Sequence, residues 1–325
     1  MKIRLLCLML ALLMLAVPFV ACNKEEEPEA TDENPTLELV TEGVSNFVII
    51  RDYQASGQVV DGVNAMKEQF KIFLNAEVEI RECYNDLEEA DDIVMEKEIL
   101  IGATNRPETA EVTKNMRSGD YAITIVNGKL VIAGGSDEAT NSAIVRFLTG
   151  YVVDQGDKNS VAQGASFSLV VDQKSASAYT TYGKYSYNTS VVADARIDSF
   201  AIFYANNAQS QTHAALANDI MDYINKQTGY LLPVYKDAND EGTNYKILVG
   251  DTSMTDPALI EGLGADQYYI GLKATDDGAI LTILYGNSAD AQSAAMQAIK
   301  KMIPALDTPG ELKIDAGYVD TNIPQ

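Results

Sequence analysis

The 325-residue chain sets 24 Lys and Arg against 47 Asp and Glu, a formal charge of −23. With no basic run anywhere, that balance argues against nucleic acid, anionic polymers and lipid head groups, whose affinity comes from Lys and Arg neutralising phosphate. One His and three Cys exclude a His-rich metal site, a four-cysteine zinc site and a disulfide framework, and no cofactor is expected.

Met1-Lys2-Ile3-Arg4 precedes an uninterrupted apolar run over residues 5–21, after which polarity begins at Asn23. A charged start and an apolar stretch at the short edge of a spanning length predict a signal peptide over 1–21, with a retained anchor as the alternative. The run ends in Phe19-Val20-Ala21-Cys22, which resembles a bacterial lipobox although Phe19 stands where Leu is usual. The resemblance implies diacylation of Cys22, export, and an N-terminal lipid holding the chain outside the cytoplasm; simple cleavage after Ala21 is the competing outcome. Residues 22–36, with six carboxylates between Glu25 and Glu33, predict a solvated acidic tether. Cys83 is then the remaining thiol, expected as a small core residue.

The rest of the chain reads as one unit written twice. In the first copy, over 37–174, Phe47-Val48-Ile49-Ile50 predicts a strand. Val59, Val63, Met66, Phe70, Phe73 and Leu74 predict an amphipathic helix. Strands near 78–80 and at Ile99-Leu100-Ile101 follow, then a polar helical stretch. A hairpin is predicted from Tyr121 to Ala133 about Asn127-Gly128, because Asn-Gly supplies the positive φ of a two-residue turn. Gly134-Gly135-Ser136 opens a helix bearing Ala139, Ala143, Ile144, Phe147 and Leu148, and 167–171 closes the copy as a strand. The second copy, over 196–325, repeats the order with strands at 200–203 and 246–249 and a helix bearing Leu216, Ile220, Tyr223 and Ile224. A hairpin at Asp277-Gly278, a helix after Gly286-Asn287-Ser288 and a strand at 312–314 complete it. The expected fold class is α+β, two tandem β-α-β-β-β-β-α-β modules, each a mixed sheet with two helices, joined by a Tyr-rich linker over 175–195.

Ile99-Leu100-Ile101-Gly102-Ala103-Thr104-Asn105-Arg106-Pro107-Glu108, Gly119-Asp120-Tyr121 and Lys129-Leu130-Val131-Ile132-Ala133-Gly134-Gly135 resemble the N-terminal domain that precedes the barrel in glycoside hydrolase family 20 hexosaminidases and family 67 α-glucuronidases. The likeness extends over most of both copies, the second having Ser253 and Met254 in place of Asn and Arg. It implies a domain that supports a catalytic barrel and supplies no acid or base. The barrel itself, about 250 residues, has no room here.

Candidate chemistry is weak throughout. The carboxylate pairs Asp91 with Asp92 and Asp276 with Asp277 fall in polar turns, where solvation keeps ordinary acidity. His213, alone among Gln211, Thr212 and Ala214, is expected at the surface or as a cap. Asp154-Gln155-Gly156-Asp157-Lys158-Asn159 lacks the spacing of a calcium loop. Ser136 and Ser288 are expected as N-caps rather than phosphate cradles, since Asp137, Glu138 and Asp290 would repel an anion. Thr104 reads as a cap, and Arg106 could grip a carboxylate or sugar hydroxyl. Tyr179, Tyr182, Tyr185 and Tyr187 crowd the linker among Ser, Thr and Asn, a composition suited to a wet glycan or peptide site, though rings packed on the two modules are the simpler reading. The expectation is a non-enzymatic cell-surface lipoprotein that binds or scaffolds a glycan or surface protein; a transporter's solute-binding lipoprotein and a cryptic glycoside hydrolase are the alternatives.

Overall fold

The repeated apolar periods form the expected elements in the computed structural model, which describes residues 34–84 and 93–324. The signal, Cys22, the tether through residue 33, and Asp91 with Asp92 lie outside the described residues. Thr36–Gln325 is one compact unit, and with 34% helix and 29% strand neither element dominates, so the class is mixed α/β. Among the described residues no helix is long and apolar enough to cross a membrane.

The first half runs β1 (Thr36–Thr41), β2 (Val44–Ser45), β3 (Val48–Asp52), α1 (Gly57–Leu74), β4 (Ile80–Cys83), β5 (Glu98–Ile101), α2 (Pro107–Thr113), β6 (Tyr121–Val126), β7 (Lys129–Gly134), α3 (Asp137–Phe147) and β8 (Leu169–Asp172). Its main sheet has the order β4-β3-β5-β7-β6, parallel except for the β6–β7 hairpin. Asn127 and Gly128 turn that hairpin with φ of 50° and 78°, as the primed turn requires. Strand period 2 splits the apolar residues between two faces. Ile49, Ile99, Ile101, Leu130 and Ile132 pack with Val63, Met66 and Phe70 of α1 and Ile144 and Phe147 of α3, while Val48, Ile50, Cys83, Leu100 and Val131 form a smaller cluster. Burial on both faces is why these strands read as unbroken apolar runs. Cys83 is thus a core residue, as expected.

The second half runs β9 (Tyr187–Val192), β10 (Ala195–Arg196), β11 (Ala201–Tyr204), α4 (Ser210–Thr228), β12 (Val234–Lys236), β13 (Tyr245–Val249), α5 (Pro257–Glu261), β14 (Tyr268–Ala274), β15 (Ala279–Tyr285), α6 (Ala289–Met302), β16 (Gly310–Ile314) and β17 (Val319–Thr321). Its sheet, β12-β11-β13-β15-β14-β17, opens in the strand order of the first and adds β17 at the edge. Local bonds also match. Gly102 N–H donates to Ile132 O at 3.0 Å and Gly250 N–H to Ile283 O at 2.9 Å; Gly135 N–H donates to Asp120 O at 2.9 Å and Gly286 N–H to Gln267 O at 2.8 Å.

The closing strands depart from expectation. β8 leaves the main sheet and pairs antiparallel with β1, and β16 pairs parallel with β9, so each half carries a separate three-stranded sheet. Thr36, expected as the end of the tether, already pairs with Asp172, and the expected linker over 175–195 takes in the end of a helical turn at Gln173–Ser177 and all of β9. Two large apolar clusters result, one built from residues 39–176 and one from 187–314.

Candidate functional site

The structure disperses the four linker tyrosines. Tyr179 turns into the first half, edge-on to Tyr151 with ring centroids 5.4 Å apart and under the Arg146 guanidinium. Tyr182 is 75% exposed, beside Ala122 and Thr124 on a shallow cleft of about 350 Å³. Tyr187, the first residue of β9, is buried in the second core and donates its hydroxyl to Pro304 O. Tyr185 places its side chain at the junction of the halves, where its hydroxyl accepts from Gly119 N–H at 2.8 Å and its ring lies 4.1 Å below the Arg117 guanidinium. Burial pushes the Tyr185 hydroxyl up, Gly119 N–H opposes that, and Asp120 adds to it.

The junction is polar and continuous. Ser118 N–H donates to Gly229 O at 2.9 Å, Ser118 Oγ to Asn225 Oδ1 at 2.6 Å, and Arg117 to the carbonyls of Tyr187 at 2.8 Å and Thr228 at 3.3 Å. Those carbonyls include one left open where α4 ends, so Arg117 caps the helix while joining the halves. Beside this seam lies a cleft of about 760 Å³ lined by Tyr185, Ser186, Asn188, Tyr223, Gln227 and Lys300, among others, a size in the range of small-molecule sites. Ser186 and Gln227 are buried and bonded to each other at 2.7 Å. A second cleft of about 660 Å³ includes Ser136, Asp137 and Glu138.

Arg106 is 3% exposed, and its guanidinium lies on Glu98, itself fully buried, at 3.0 Å. Lys129 joins Glu98 at 2.8 Å and Glu108 at 3.5 Å, closing a group of two cations and two anions. Burial would raise the Glu98 carboxyl, but Arg106, Lys129 and the Met95 N–H outweigh it and hold it below the usual carboxylate range. Arg106 is therefore an interior charge, and Thr104, rather than capping α2, shares a hydrogen bond with Thr109 at 2.6 Å. Arg106 itself occupies the N-cap position.

His213 corrects the expectation of a surface or capping residue. It is 2% exposed, because α4 begins at Ser210 and one turn carries position 213 onto the face of Leu216, Ala217 and Ile220. Nδ1 meets the Tyr285 hydroxyl at 2.6 Å. Nε2 stops 3.4 Å from Asp251 Oδ1 without a hydrogen bond. Burial pushes the imidazole below its ordinary value against the pull of Asp251.

The remaining candidates fall where the sequence puts them. Ser136 and Ser288 accept from Ala139 N–H at 3.1 Å and Ala291 N–H at 3.0 Å as N-caps. Asp157 accepts from Asn159 N–H and Ser160 Oγ, and Asp276 and Asp277 are exposed in the β14–β15 turn. Among the described residues no group of His, Cys, Asp or Glu has the geometry of a metal site. Arg117, Lys184, Lys226, Gln227 and Lys300, which the sequence did not single out, line the larger cleft together with Tyr223, expected only as a helix-face residue. No protein-family model matches the chain, and no curated protein matches it.

Proposed function

We propose that the chain is a bacterial cell-surface lipoprotein, lipidated at Cys22, whose two α/β halves form a non-catalytic unit that binds or scaffolds carbohydrate. The shared strand order of the two main sheets and the paired glycine bonds of Gly102 with Gly250 and Gly135 with Gly286 support two tandem copies. They fit the resemblance to the barrel-supporting domain of the family 20 and family 67 glycoside hydrolases. The observation that carries the functional reading is the junction cleft, where Tyr185 and Tyr223 stand among hydroxyl and amide groups. Aromatic faces beside polar side chains suit a hydrated, hydroxyl-rich ligand. The antiparallel hairpin inside each main sheet weighs against the parallel βαβ lobes of a transporter's solute-binding lipoprotein. The acid pair Asp276 with Asp277 is exposed in the β14–β15 turn rather than set in a cleft where a glycosidic bond could be held.

One experiment tests this. Cells expressing the full chain, with Cys22→Ala as the unanchored control, are challenged with a fluorescent oligosaccharide library and with chromogenic glycosides. The expected outcome is surface retention of a subset of oligosaccharides, lost with Cys22→Ala, and no chromophore release. Turnover of any glycoside by the purified chain overturns the non-catalytic reading, and equal anchoring of the Cys22 variant overturns lipidation.

A further inference from the structure

The junction cleft carries a charge opposite to that of the chain around it. Arg117, Lys184, Lys226 and Lys300 line it, with Asp307 the one acid among the lining residues, in a chain whose net charge is −23. The four cations come from four segments: the loop before β6, the stretch before β9, the end of α4 and the end of α6. Part of this has a local cause. Lys226 and Lys300 sit in last helical turns, where a cation complements the dipole, and Arg117 spends its hydrogen bonds on backbone carbonyls.

Local causes do not account for Lys184, which lies outside any helix or strand, nor for the convergence of all four on one concavity. Elsewhere Lys71, Lys129, Lys246, Lys301 and Lys313 pair with a carboxylate, while others of the described residues, Lys114 and Lys273 among them, stand singly on the surface, so it is the gathering on one concavity rather than the lack of a partner that sets the cleft lysines apart. Among the described residues Lys184, Lys226 and Lys300 pair with none, although the chain has an excess of acids to offer. Like charges gathered around a cleft repel one another and focus a positive potential into it. Because exposed charges are screened over about 8–10 Å, a ligand inside senses this lining rather than the acids of the outer surface. The net charge of −23 averages over the whole surface, whereas this lining is local to the cleft.

We propose that this cleft binds an acidic oligosaccharide, one whose rings bear carboxylate or sulfate groups. The proposal rests on the carbohydrate reading above and sharpens it. The three lysines supply mobile ammonium donors for the anionic groups. Asn188 offers an amide for hydroxyls, and Tyr223 an aromatic face.

The test is calorimetric titration of the full chain with tetragalacturonate, a chondroitin sulfate tetrasaccharide and neutral cellotetraose, with ATP as a non-sugar anion. The acidic tetrasaccharides are expected to bind about tenfold or more tightly than cellotetraose and to weaken as salt rises. The combined variant Lys184→Gln, Lys226→Gln, Lys300→Gln is expected to erase that preference with an unchanged melting temperature. Should the combined variant melt early, Lys184→Glu alone serves, and it should weaken the acidic sugars selectively. Cellotetraose binding as tightly as the acidic sugars, in wild type and variant alike, overturns this proposal and leaves carbohydrate binding standing. No binding of any tetrasaccharide overturns both, and lysine-dependent ATP binding in their absence reassigns the cleft to another anion.

Discussion

His213 is the only histidine in the chain, and that makes its burial measurable. Held in the core beside the Tyr285 hydroxyl, it is harder to protonate folded than unfolded, burial being the main cause. The unfolded chain therefore binds more protons below the ordinary value of 6.5, and stability rises with pH through that range. The contribution is complete above 6.5 and is lost as the solution is acidified below it, at up to about 1.4 kcal/mol per pH unit. Denaturant midpoints of the wild type should fall from about pH 7.5 to about pH 5.5, before the carboxylates titrate, and those of His213→Gln should stay level. An identical fall in both proteins would place the titrating group elsewhere. The position was legible in the spacing 213, 216, 217, 220, 224; the polar neighbours Gln211 and Thr212 concealed it. Arg106 was misleading in the opposite sense, because nothing local to it marks Glu98, eight residues away on β5, as its partner.

At the scale of elements, two glycines separate backbone strain from packing. Gly128 and Gly229 have nearly the same φ, 78° and 77°, so a side chain at either pays the same left-handed penalty of about 1 kcal/mol. A Cβ at Gly128 meets nothing within 4 Å, whereas one at Gly229 lies 2.5 Å from the Tyr185 ring and 2.8 Å from Arg117 Cβ. Gly128→Ala should cost about 1 kcal/mol and Gly229→Ala about 2–4 kcal/mol, read from chemical unfolding. Equal costs would mean that the junction yields freely and that Tyr185 is not wedged there. Asn127-Gly128 was readable because a turn is local chemistry, as were α1, α3 and the caps Ser136 and Ser288. The small sheets were not, since Thr36 meets Asp172 and Leu312 meets Ser190 across more than a hundred residues, and such pairing leaves no local period. The cleft lay beyond reading for the same reason: its cations come from four segments.

The whole molecule has two cores and a polar seam. The large apolar clusters draw on residues 39–176 and 187–314 without crossing, and the seam between the halves includes hydrogen bonds such as Ser118 to Asn225 and Arg117 to Thr228 and the Arg117 guanidinium over the Tyr185 ring. Separate large clusters joined by a polar seam predict, within the one compact unit of Thr36–Gln325, halves that fold when expressed apart. Where the chain can be cut follows from β9. The composition of 175–195 suggests that a cut near residue 195 would be harmless, but β9 is the middle strand between β10 and β16, and it buries Tyr187 and Val192 in the second core. Removing it exposes those side chains and strips both neighbours of their ladder, a loss comparable with the 5–15 kcal/mol of net stability a domain has. Fragments 34–183 and 184–325 should each unfold cooperatively, while 195–325 should lack a cooperative transition. The seam predicts one more difference, since Arg117 and Ser118 cover the end of α4 in the intact chain: 184–325 should show faster amide exchange over residues 225–229 than the same residues in the full chain. If 195–325 folds as well as 184–325, β9 is an ornament of the second half. Failure of both would make the two halves one cooperative unit despite their separate cores.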